Sequence, residues 1–149
     1  MNKNRVIAMS TCIAIALIAM MLSSVYAYNV WNFDTKSGMY TTANVGVAGN
    51  LISMKLYNPA AYVKGVVDKD LPSGHTLIIQ YHFEWTDLNH VTHTQDGIVT
   101  SSCNKAGEYI RIDLNGLPSV VYDIVAECRT AWNTTTYDTD WASASLPWV

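Results

Sequence analysis

The sequence predicts an all-β protein: an antiparallel β-sandwich of about seven to eight strands behind an N-terminal signal peptide. Three observations carry this reading. Leu77, Ile79, Tyr81, Phe83 and Trp85 alternate with Ile78, Gln80, His82, Glu84 and Thr86, the period of a strand with two unlike faces. So large an apolar face needs a second sheet over it. No window shows sustained helical periodicity, and turn-forming residues punctuate the chain at short intervals.

Taken in order, Tyr28 to Phe33 is short and aromatic and predicts an edge strand or a mobile arm, joined to the body through Asp34–Gly38. Met39 to Val47 is rich in Thr, Val and Ala and predicts a strand, with Gly46 and Gly49 weakening it. Leu51 to Tyr57 alternates, Asn58-Pro59 reads as a break, and Tyr62 to Val67 predicts another short strand. Residues 68–74, with Pro72 and Gly74, read as a loop. Leu77 to Trp85 follows, then a polar connection over 87–97 and a strand from Ile98 to Cys103. The last short strand lies near Ala142 to Val149.

The stretch from Cys103 to Cys128 reads as a hairpin. Ile110, Ile112 and Leu114 alternate with Tyr109, Arg111 and Asp113; Asn115-Gly116 favours a reversal; the return strand runs from Ser119 to Ala131 with Tyr122, Ile124, Ala126 and Cys128 on one face. A two-residue loop would set Ile110 and Ile112 against Val121 and Ser119, putting Tyr122, Ile124 and Ala126 on the wrong side, so a loop of about three to five residues is expected. Either register brings Cys103 near Cys128. As a disulfide in an exported chain, that pair would stabilise by about 3–4 kcal/mol in the chain-entropy view. Bulky Trp85 on one strand and Tyr122 on a strand ending in Cys128 are loosely similar to an immunoglobulin-like or related Greek-key sandwich. No cysteine lies on an earlier strand, so the likeness is one of architecture.

Residues 1–27 have the layout of a secretory signal: Lys3 and Arg5, an apolar run from Val6 to Leu22, then small residues ending at Ala27. Residues 28–149 are then a single β-sandwich domain, secreted or displayed at the cell surface. With 9 Lys and Arg against 12 Asp and Glu, the whole chain has a formal net charge of -3. Removing Lys3 and Arg5 makes it more negative, which argues against nucleic acid and anionic membrane as partners.

Candidate chemistry is sparse. His75, His82, His90 and His93 fall within one short interval, beside Glu84 and Asp87, and imidazoles gathered this way suit zinc or copper. Trp31, Trp132, Trp141 and Trp148, with Tyr137, flank the core strands and are candidates for stacking on sugars or anchoring a protein. Asn133-Thr134-Thr135 is an N-glycosylation acceptor where the source has that machinery. No nucleophile sits in a recognised catalytic turn. The expectation is therefore a secreted, non-enzymatic sandwich engaged in extracellular binding, adhesion or assembly, without a resident cofactor. One version adds the N-terminal strand to a neighbour's sheet edge. The alternatives are a small metal-dependent enzyme or metal-binding protein built on the histidines, and a carbohydrate-binding module.

Overall fold

The computed structural model describes residues 27–147; apart from Ala27, the expected signal peptide lies outside them, as does Trp148. The described residues form nine strands and no helix: β1 (Tyr28–Ser37), β2 (Thr41–Ile52), β3 (Lys55–Val67), β4 (Ile78–Thr86), β5 (Thr92–Thr100), β6 (Tyr109–Asp113), β7 (Val120–Val121), β8 (Asp123–Ala131) and β9 (Ala142–Leu146). One sheet, sheet A, has the order β1-β2-β3-β6, with β7 pairing β3 at its far end; sheet B has the order β5-β4-β8-β9. Every pairing is antiparallel.

The sheets pack face to face as a β-sandwich around Val45, Leu56, Val63, Ile79, Phe83, Ile124 and Leu146, all fully buried. Each belongs to an alternating run, so the inner face follows directly from the two-residue period. Burying each such side chain contributes about 1.5–3 kcal/mol.

The expected hairpin around Asn115-Gly116 does not form. β6 pairs with β3 in sheet A, and β8 pairs with β4 in sheet B. The clash of faces in the two-residue register has this cause: Ile110 and Ile112 point inward from one sheet, Ile124 and Ala126 inward from the other. The chain pairs briefly with Leu56 and Tyr57 through Val120–Val121, then changes sheets at Tyr122. That change also buries Val121, which simple alternation would have turned outward.

The expected disulfide is also absent: Cys103 and Cys128 are free thiols. Cys103 hangs on the end of β4, its carbonyl accepting from the Leu77 N–H at 2.8 Å. Cys128 lies opposite Tyr81 on the other side of β4. Four residues of strand, about 13 Å, separate those levels, well beyond the Cα spacing of a disulfide. Burial pushes the Cys128 thiol up to about 12, and its Sγ donates to the Asn44 carbonyl at 3.4 Å.

Three expected boundaries move. β1 runs unbroken through Asp34 to Ser37, paired residue for residue with β2, so Asp34–Gly38 is not a flexible joint. Gly49 and Asn58-Pro59 do not end strands. They face each other as a bulge between the pairs Ala48–Ala60 and Asn50–Tyr57, where proline's missing donor is tolerated. The reversal comes instead at Ser53-Met54, both at positive φ (49° and 63°), the conformation of a tight two-residue hairpin. β5 begins at Thr92, inside the stretch read as a polar connection. As an edge strand, with exposed and half-buried residues alternating throughout, it carries little apolar signal.

One carboxylate ties the hairpin end of sheet A to sheet B. Asp138, between β8 and β9, accepts from the Met39 N–H at 3.0 Å, the Tyr40 N–H at 2.9 Å, the Thr41 N–H at 2.7 Å and the Thr41 hydroxyl at 2.8 Å. Gly38 is required beside it, because a Cβ there would overlap the Asp138 backbone oxygen. Below, the Thr41 and Thr130 hydroxyls are bonded at 2.8 Å and Thr139 Oγ1 accepts from the Thr130 N–H at 2.9 Å, so the buried polar atoms are satisfied.

Burial alone would raise the Asp138 carboxyl. Hydrogen bonds from Tyr40, Thr41 and Met39 outweigh it and hold the group below 3.8, its ordinary value. Folding therefore favours the charged form. The stability it contributes is present above the ordinary carboxylate range and is lost as pH falls through the lowered folded value. Asp138→Ala should cost about 2–4 kcal/mol in urea unfolding at neutral pH, and the difference from wild type should shrink as the pH drops below 3.8. An equal difference at every pH would show that the charge is immaterial. For the thiols, native labelling should modify Cys103 first, with Cys128 reacting only on unfolding. A non-reduced mass showing a disulfide would contradict the register described above.

Candidate functional site

The outer face of sheet A carries a connected set of exposed aromatics. Strand register builds it in rows. Phe33, Gly46, Tyr62 and Asp113 stand side by side across β1, β2, β3 and β6; Trp31, Ala48 and Ala60 form the next row; Thr35, Asn44, Lys64 and Arg111 form the row on the other side. Trp31 and Phe33, two residues apart on one strand, project from the same face. They stack with centroids 5.4 Å apart and planes 8° from parallel, yet are 63% and 62% exposed. Aromatic surface left this open in a paired stack is unusual unless something covers it.

Opposite this wall, the Tyr62 ring lies across Gly46. A Cβ at residue 46 would overlap that ring, so the glycine lets the ring lie flat against the sheet. Arg111 covers Tyr62 with its guanidinium 4.0 Å from the ring centroid and is held by Asp113, with Nε donating at 3.0 Å and Nη2 at 2.9 Å to Oδ1. Hydrogen bonds donated to Asp113 strengthen the charged form of Arg111. Lys64 sits 4.2 Å over Tyr109 in the same way. Between the walls lies a trough of about 360 Å³, floored by Gly46, Ala48 and Ala60 and ended by Arg111 and Asp113. Small floor residues give it depth, and the clamped cation gives it one polar end.

The other residues singled out in the sequence do not converge. His75 packs edge-on against Trp132 at one end of β4, and His90 stacks on Tyr122 beyond the other end. β4 alone spans about 26 Å. His82 faces outward from sheet B, its Nδ1 2.5 Å from Asp96 Oδ1 and its Nε2 3.9 Å from Glu84 Oε2. His93 turns to the opposite face, stacked on Trp85, with Nε2 2.9 Å from Asp87 Oδ2. Hydrogen bonds from His93 and the Val91 N–H hold the Asp87 carboxyl below its ordinary range. Among the described residues, no three His, Cys, Asp or Glu gather to hold a metal ion. Alternation along β4 and β5 sends neighbouring histidines to opposite faces, so closeness in sequence does not become a ligand set.

The tryptophans are likewise dispersed. Trp132 is half-buried against Tyr40 and His75. Trp141 lies under Arg129 with Tyr137 on the outer face of sheet B. Asn133 folds its side chain into its own turn, Oδ1 accepting from the Thr135 and Thr136 N–H groups at 3.0 and 2.9 Å. Of the aromatic candidates within the described residues, Trp31 is the one on the trough. Phe33, Tyr62, Arg111 and Asp113 complete it without having been singled out. The available signals were Gly46 inside a valine-rich strand, which implies close approach, and the wet face Tyr109-Arg111-Asp113.

In comparison with known proteins, no family model, no curated protein and no solved structure gives a significant match to the chain. What bears on function is the chemistry of this face.

The trough has a direct test of its construction. Gly46→Ala should force the Tyr62 ring off the sheet, at a cost of about 1–3 kcal/mol. The ring, freed from Gly46 and Arg111, should show altered NMR shifts while the sandwich stays folded. Unchanged Tyr62 shifts in the variant would mean the ring does not depend on that glycine.

Proposed function

We propose that the protein is an exported, non-enzymatic sandwich of immunoglobulin-like or related Greek-key type that binds a partner protein through the outer face of sheet A. The observation that carries this reading is the trough: exposed Trp31 and Phe33 on one wall, Tyr62 under Arg111 on the other, small residues between. Trp, Tyr and Arg are the residue types that dominate binding energy at protein interfaces, above all where they flank a desolvated pocket. Arg111 is immobilised by Asp113, so ordering it on binding costs little. The floor suits an apolar or aromatic side chain of the partner, and the net negative charge argues against nucleic acid.

Export to the outside of the cell or its surface is supported by Lys3, Arg5, the apolar run Val6–Leu22 and the small residues ending at Ala27. The Greek-key reading is supported by the two connections that cross between sheets to set β6 beside β3 and β8 beside β4. A second reading, carbohydrate binding, is favoured by one observation: the exposed Trp31–Phe33 pair stands beside hydrogen-bonding groups at Asn44, Thr35 and Asp113.

A displayed peptide library and a glycan array separate the two. Peptides with a shared aromatic or leucine anchor should enrich on the purified protein, and their affinity should fall about thirtyfold with Trp31→Ala or Tyr62→Ala. Glycan binding lost in the same variants would move the assignment to the second reading. Enrichment on neither, or binding indifferent to both substitutions, would remove this face as the site.

A further inference from the structure

The edge of sheet A next to the aromatic wall has a bonding capacity that the face does not use. The Gly38 N–H donates to the Thr41 carbonyl at 2.8 Å. Residues of an antiparallel strand alternate between pointing at the partner and away from it. The even-numbered residues of β1 therefore bond to β2, and the backbone groups of Asn29, Trp31, Phe33 and Thr35 point outward from the last strand of the sheet. Thr35 fits this geometry: its N–H is taken by the Asp34 side chain at 2.8 Å.

The other edges are blunted. On β9, the outward Ser143 N–H donates to Asp34 Oδ2 at 3.1 Å and the Ser145 carbonyl accepts from Asn32 Nδ2 at 3.1 Å, so side chains of β1 cap it. β6 and β7 are short, and Pro118 lies just before β7. β5 is polar from Thr92 to Asp96, and Asp96-Gly97 interrupts it before the short apolar pair Ile98-Val99. β1 is a ten-residue strand in unbroken register, with no proline, glycine or bulge of its own. Natural proteins rarely leave such an edge open.

We propose that β1 pairs antiparallel with β1 of a second copy, joining two A sheets into one continuous sheet about a dyad at Asn32. The strand is self-complementary in that register. Trp31 meets Phe33 of the second copy, Asn29 meets Thr35, Val30 meets Asp34 and Tyr28 meets Lys36, so four rings adjoin and no like charges oppose. Outward groups on both strands are the ones that face each other, giving about six backbone hydrogen bonds once the Thr35 N–H of each copy, held by its own Asp34, is set aside. Capping of β9 by Asn32 and Asp34 keeps that edge of sheet B from competing. The seam shares Trp31 and Phe33 with the ligand face, whereas Tyr62 and Arg111 stand on β3 and β6, away from this edge, so Tyr62→Ala probes the ligand face without touching the seam.

Hydrogen exchange of the purified chain, run beside sedimentation velocity from micromolar to millimolar concentration, tests it. The amides of Asn29, Trp31 and Phe33 should gain protection as dimer forms, while those of Val30 and Asn32 stay protected throughout. Asn29→Pro removes an outward donor and leaves the ladder to β2 intact, so it should weaken the dimer about tenfold or more with the fold retained. A monomer at every concentration, with the odd-numbered amides exchanging freely, would overturn the proposal and leave the ligand face untouched. So would a dimer in which those amides still exchange freely. The wild-type exchange pattern decides the matter even if the proline variant does not fold.

Discussion

The Asp138 carboxylate gathers three backbone donors and a hydroxyl at the one corner where β1 could come loose. β1 is a terminal strand with only β2 beside it in its sheet. Its register is set by the reversal at residues 38–41, and that reversal is fastened to the β8–β9 connection by Asp138. From there the fastening continues along the strand: Asp34 accepts from Ser143, and Asn32 donates to Ser145. Burial would raise the Asp34 carboxyl, but hydrogen bonds from Ser143, Thr35 and Lys36 bring it below its ordinary value, so it too favours the charged state in the fold. Three polar side chains thus lash one strand of sheet A to the far sheet, and charge-assisted bonds of this kind are stronger than neutral ones. Trp31 and Phe33 stand on that strand. Their stacked geometry is only as fixed as the strand beneath them.

How far the sequence discloses this fold depends on whether the determining contact is local. Burial on one face is local in effect, so Leu77 to Trp85 could be read directly, as could the inward set Ile124, Ala126 and Cys128. Which strand lies beside which is not local. Ile110–Ile112 and Tyr122–Ile124 carry incompatible faces for a two-residue hairpin, and that incompatibility was the visible trace of a change of sheet. Gly49 and Asn58-Pro59 each look like a break when read alone; set opposite one another they are a bulge, which requires knowing the pairing first. Ser53-Met54 takes left-handed backbone without Gly or Asn, so the real turn lacked its usual composition.

The site was less legible than the fold for the same reason. Trp31 could be singled out by type. Tyr62, Gly46, Arg111 and Asp113 reach it only through the register of four strands drawn from distant parts of the chain. Proximity along the chain misled in the other direction. The histidines are close in sequence but alternate between faces or sit at opposite ends of β4, where His90 and His93 stack flat on Tyr122 and Trp85 and His75 meets Trp132 edge-on. Here imidazole acts as a packing surface that tolerates water on one side. The two cysteines followed the same logic: the hairpin register that seemed to join them was never formed.

The switch of sheets at Tyr122 has a consequence for how the chain acquires its structure. Adjacent hairpins β1–β2, β2–β3, β4–β5 and β8–β9 can form early, since each closes a short loop. Neither layer is complete until residues 109–131 arrive, because that one segment supplies the neighbour of β3 in one layer and of β4 in the other. Both additions span long stretches of chain, the topology that slows folding to the order of milliseconds to seconds. Until then the inner edges of β3 and β4 are open, with Val63 and Phe83 uncovered beside them. A nascent chain halted before residue 109 would therefore hold two half-built layers with their stickiest edges outward, and the commitment to a cooperative unit comes with its last third.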